Sequence, residues 1–239
     1  MNLFWKILGL ELLLVFFYTA NGVYSSIEAP SSPFLQFIGL VPLALGILIY
    51  LVVRKKWSHY FFDGLKNFQF VLISPLILVL LIILIGNKGL DVSSISNLVS
   101  MLIMQVLVVG LIEETFFRGF MLRMLMSIGV KKAVIISSLL FGITHALQLI
   151  SGQSVEDTIL QIVYAILVGF VLSLLIIHTQ SIIITIAFHG LNNFLNFMGK
   201  QEGNTIFAYS IIVVLFMYTI YLWKRIDKIE IKQDCQSVF

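Results

Sequence analysis

Two adjacent carboxylates and an arginine, Glu113, Glu114 and Arg118, close a long apolar run at residues 98–111. A carboxylate within a bilayer costs about 2.5–3.5 kcal/mol on insertion scales, so a pair of them there needs a reason. On a helix Glu114 and Arg118 are spaced i, i+4 with the acid first, the order that favours an ion pair. Glu113 lies about 100° further round, which leaves it free for chemistry. Two further polar positions follow in apolar stretches. His145 stands four residues after Phe141, and His189 stands four before Asn193, so each pair shares one helical face. Ionisable groups inside spans usually line cavities or pathways. The ordinary use of Asn193, Asn192 and Asn196 would be hydrogen bonding between helices. His59 and His178 fall at span ends and are read as solvated.

A carboxylate in a poorly solvated site is a better base near neutral pH. Beside an imidazole it can take a proton from water. A second imidazole and an amide can donate to a developing oxyanion, often a large contribution to catalysis. Base and oxyanion donors together meet the needs of amide hydrolysis. Neither G-x-S-x-G nor H-E-x-x-H is present, which argues against a serine hydrolase and an ordinary zinc protease. A zinc ion on Glu113, His145 and His189 is the alternative, ranked second because the ligands stand on three helices without a short-spacing motif. The same set would also serve acyl transfer on membrane lipoproteins. A transporter or a non-enzymatic immunity or scaffold protein would place carboxylates in the membrane too, but neither requires an oxyanion pair.

The elements that must hold these residues are apolar helices. Of 239 residues 59% are hydrophobic and 11% charged, against about 25% charged in soluble domains. Apolar runs near 20 residues recur along the whole chain, and each is long enough to span a bilayer. The reading is an all-α, polytopic membrane bundle of about eight spans, at residues 3–20, 34–53, 69–86, 98–117, 133–150, 159–177, 182–198 and 205–223. A turn-rich loop is expected at residues 21–33. The chain reads as a single membrane domain, 1–239, with its motif-bearing core at 98–197. The first run has no convincing cleavage site and is taken as a span, not a signal peptide. The lone cysteine, Cys235, excludes an intrachain disulfide and stands one residue too far from the end for prenylation.

With cytoplasmic termini, only Lys88 and Lys200 of the 15 lysines and arginines fall outside. The positive-inside rule thus favours an even number of spans and this orientation. The basic clusters report topology, not nucleic acid. Glu113 is then expected about one turn from the cytoplasmic end of its span, with the histidines at overlapping depth in a cavity open to the cytoplasm.

Glu113-Glu114-x-x-x-Arg118, Phe141-x-x-x-His145 and His189-x-x-x-Asn193, in this order, resemble the motifs of the CPBP intramembrane endopeptidases. These are the CAAX-protease and bacteriocin-processing, or Abi, family, which includes the Rce1-type prenyl-protein proteases. The resemblance covers about residues 98–197. It implies that Glu113 activates water with His145, that His189 and Asn193 stabilise the oxyanion, and that Glu114 and Arg118 support the site structurally. It also implies a metal-independent mechanism without cofactor, acting on a membrane-associated peptide or protein. The composition looks bacterial, so peptide maturation or bacteriocin self-immunity in the cell membrane is the expected setting. Substrate identity and oligomeric state have no signature in the sequence.

Overall fold

The structure, a computed structural model, describes residues 2–64, 70–149, 153–201 and 205–226. Cys235 and the basic residues Lys228 and Lys232 lie outside them. Among the described residues the long helices are α1 (Leu3–Glu28), α2 (Ile38–Val53), α3 (Phe70–Gly86), α4 (Ile95–Ile128), α5 (Val130–Leu147), α6 (Val155–Thr179), α7 (Ile183–Phe197) and α8 (Thr205–Trp223). Five of them, α1, α4, α5, α6 and α8, are long and apolar enough to cross a membrane. The chain is a multi-pass membrane protein. α7, with 15 residues, rises about 22 Å, short of the roughly 30 Å hydrocarbon layer.

Local chemistry explains the boundaries. Ser94 and Ser154 cap α4 and α6 by accepting from the amides of Asn97 and Asp157. Ala29 and Gln180 end α1 and α6 in the left-handed region, and Gly129 turns the chain at the end of α4 with φ 109°. Two expected boundaries move. The loop read at residues 21–33 begins only after Glu28, because Asn21 is a buried helical residue. The fourth span does not stop near Phe117. Arg118 is folded back and buried against its own helix, so the apolar residues beyond it continue α4 to Ile128. Glu113 therefore stands near the middle of its helix.

Small residues set the closest helix crossings. A methyl added at Gly169 of α6 would lie 3.0 Å from the Ser138 Cα of α5. One at Gly190 of α7 would lie 2.5 Å from the Val106 Cα of α4, and Gly110 faces the same crossing. α8 packs on α6 and α3, and α2 packs on α4. α7 is tied at both ends. Ser181 Oγ donates to the Asp63 carbonyl (3.0 Å) and the Ile182 amide to that of Phe61 (2.7 Å). At its other end the Asp91 amide donates to the Met198 carbonyl (2.8 Å), beside a bridge between Leu90 and Gly199. α1 differs, packing mainly where the chain enters α2 and burying only Leu14 and Asn21.

Candidate active site

The two glutamates sit on a four-residue α-helical segment, Leu111–Glu114, between two π-helical stretches, Met104–Gly110 and Thr115–Met121. At the second junction the Thr115 hydroxyl donates to the Leu111 carbonyl at 2.6 Å. Such back-bonding competes with the helix ladder and bends it. Wide turns of this kind recur at functional sites, where they re-aim side chains.

Glu114 points inward and is wholly buried with Arg118. Arg118 Nη1 donates to Glu114 Oε1 at 3.1 Å, and the same oxygen accepts from His189 Nδ1 at 2.7 Å. The rest of the guanidinium lies over the Phe141 ring, 4.1 Å from its centroid, a cation–π contact in a site without water to compete. Phe141 also stands edge-on to His145 (5.0 Å) and His189 (5.6 Å), so one ring spaces the arginine and both histidines.

Glu113 keeps a 12% exposed side chain. Its Oε1 accepts from the Tyr18 hydroxyl of α1 at 2.7 Å. Its Oε2 lies 3.5 Å from His189 Nε2, long for a hydrogen bond. His145 begins a 3₁₀ turn at the end of α5, and its Nδ1 meets the Phe141 carbonyl at 2.9 Å. A carbonyl only accepts, so Nδ1 carries the proton and a neutral ring keeps its Nε2 lone pair free.

Two cavities meet at His145 and Phe141. The first, about 420 Å³, runs between α1 and Glu113 and is walled by Leu14, Tyr18 and Phe117. The second, about 410 Å³, is lined by His189, Asn193, Asn192, Tyr164 and Gln161. The structure thus brings Glu113, Glu114, Arg118 and His189 into one contact network, with Phe141 and His145 beside it. Asn193 faces the second cavity. Its Oδ1 accepts from Asn192 Nδ2 at 3.4 Å, which turns its own amide N–H groups elsewhere, and Asn192 in turn accepts from the Tyr164 hydroxyl of α6. Among the described residues no three His, Cys, Asp or Glu side chains converge as a metal site would require.

Tyr18, Tyr164 and the aligning role of Asn192 were not legible in sequence. A tyrosine in an aromatic run such as Phe16-Phe17-Tyr18 carries no signal of its own. His178 is half-buried, not solvated, with Nε2 3.3 Å from the Leu222 carbonyl. His59 is exposed, and partial burial, Arg123 and Lys56 hold its imidazole below the usual range.

Residues 95–195 match the family model described as type II CAAX prenyl endopeptidase, Rce1-like. Neither the curated proteins nor the solved structures contain a match to the chain.

Proposed function

We propose that this chain, whose residues 95–195 match the Rce1-like type II CAAX prenyl endopeptidase model, cuts a peptide bond of a membrane-associated peptide or protein with water activated by Glu113 and His145. The family match supports an intramembrane endopeptidase of CAAX type in general. The observation that carries the residue roles is the unequal environment of the two glutamates. Glu114 is buried and held through one oxygen by both Arg118 and His189, whereas Glu113 borders a cavity it shares with His145.

The scissile bond is placed beside His145 and Phe141, where the two cavities meet. Water there loses a proton to Glu113, aligned by the free Nε2 of His145, and its oxygen forms a bond to the carbonyl carbon. The resulting oxyanion accepts from Asn193 Nδ2 and from Nε2 of His189. With both nitrogens protonated, His189 also leaves Glu113, Glu114, Arg118 and itself neutral as a group. The C–N bond then breaks as the proton held by Glu113 passes to the leaving amine. No cofactor is assigned a step. The setting proposed is a bacterial cell membrane, in peptide maturation or bacteriocin self-immunity.

Glu113→Gln preserves size and most hydrogen bonding but removes the base. Turnover by the purified protein is expected to fall about 10²–10⁴-fold with thermal stability unchanged, and a chelator should leave wild-type turnover intact. Near-normal turnover by Glu113→Gln would overturn the base assignment. Chelator-sensitive activity restored by zinc would instead select the Glu113/His145/His189 metal site. The termini are placed in the cytoplasm from the distribution of basic loops. Reporter fusions should give an internal signal at Lys132 and an external one at Asn87. An external signal at Lys132 sinks both the orientation and a site open to the cytoplasm.

A further inference from the structure

We propose that Tyr18 is a positioning residue for Glu113, so that the first helix, outside the family-matched segment, completes the site. The inference rests on the reading of Glu113 as the base. The terminal torsion of a glutamate has broad, nearly two-fold preferences, so an unsupported carboxylate presents either oxygen to a reacting water. Here the two oxygens are distinguished. Tyr18 donates to Oε1 at 2.7 Å, which turns Oε2 toward His189 Nε2 at 3.5 Å. A phenol–carboxylate hydrogen bond is charge-assisted and directional, and it leaves one oxygen for water.

The way α1 is held points to the same role. Its surface is mostly apolar and exposed, with Phe4, Trp5, Leu12, Phe16 and Ile27 all facing outward. Its polar ties are few, and two of them stand one turn apart on one face. Tyr18 bonds Glu113, and Asn21 bonds the chain entering α2 at both ends of its amide. Asn21 Nδ2 donates to the Gln36 carbonyl (2.9 Å), and Asn21 Oδ1 accepts from the Gly39 amide (3.0 Å). A lipid-facing helix needs no such registration for burial, since it buries little. Asn21 fixes the height and rotation of α1, and Tyr18 passes that placement to the carboxylate.

The test uses the purified full-length chain and a fluorogenic peptide ending in a farnesylated Cys-a-a-X motif. Tyr18→Phe removes only the hydroxyl. It is expected to lower kcat by about 10- to 100-fold, the weight of a hydrogen bond to a charged group, with KM and melting temperature close to wild type. Replacing Tyr18 with 3-fluorotyrosine, which keeps the donor, should restore kcat, and the lipid-facing neighbour Phe16→Leu should change nothing. A kcat for Tyr18→Phe at or above wild type would overturn the proposal, the latter by making Tyr18 a latch that must open. A loss carried by KM or by melting temperature would overturn it as well, because the tyrosine would then be only a wall. Glu113→Gln assayed alongside separates the two readings. If that variant still turns over, the base is wrong. If it is dead while Tyr18→Phe is fully active, only the positioning role is lost.

Discussion

The two sides of α4 are built to opposite specifications. Toward α7 the helix is closed: Glu114 and Arg118 are wholly buried, His189 is clamped to Glu114, and the backbones touch at Gly190. Toward α1 it is open, with Glu113 partly exposed on a cavity whose far wall is a helix with only two buried residues. Adjacent residues of one type thus inherit different work from what surrounds them. The closed side fixes an imidazole and a charge pair where water cannot dilute them. The open side leaves a carboxylate within reach of something that must enter.

The comparison can be broken most severely at the ion pair. Glu114→Gln leaves Arg118 buried without its countercharge, and uncoupling such a pair typically costs about 3–5 kcal/mol. Glu114→Gln and Arg118→Gln should therefore both melt or express poorly, and resemble each other more than either resembles Glu113→Gln. Thermal unfolding of the three variants side by side decides it, and a stable Glu114→Gln would show that the closed side is not structural. A smaller effect separates two glycines. Gly190→Ala drives a methyl into the Val106 backbone and should cost about 1–3 kcal/mol as an overpacked contact. Gly22 on α1 has open space where its methyl would go, so Gly22→Ala should be neutral or stabilise the helix by up to about 1 kcal/mol. Equal melting temperatures for the two alanine variants would erase the distinction between the sides.

The bundle was legible because the physics of a membrane helix is written in composition: long apolar runs survive into the structure as α1, α4, α5, α6 and α8. The residues that gather at the candidate site were legible where an ionisable group sat in an apolar run, as with Glu113, Glu114, Arg118 and His145. Arg118 also misled, because a charge reads as the end of a span unless its partner is known to bury it. Tyr18 and Tyr164 stayed hidden for a different reason. Each acts across a helix interface, on Glu113 and Asn192 respectively, and a long-range pairing between two amphipathic side chains leaves no local periodicity. Glu113 and Asn193 were grouped by type, whereas the structure sets them on different cavities, joined through His145 and Phe141.

The π-helical stretches of α4 carry a consequence for how this chain tolerates insertion and deletion. A π turn is what an α-helix becomes when it accommodates one surplus residue. Met104–Gly110 stands between the start of α4 and the two carboxylates, so their compass bearing depends on a count of residues as well as on their own identity. Deleting one residue from that stretch would let the helix relax to ordinary pitch with the carboxylates near their present bearing. Deleting one from the ordinary α turns at Ile95–Ile103 would instead swing Glu113 and Glu114 about 100° relative to the start of the helix. The motif would still read Glu-Glu-x-x-x-Arg, yet it would point at the wrong neighbours. In this chain a gap of one in an ordinary turn can do as much damage as a substitution at Glu113 while leaving every motif letter in place.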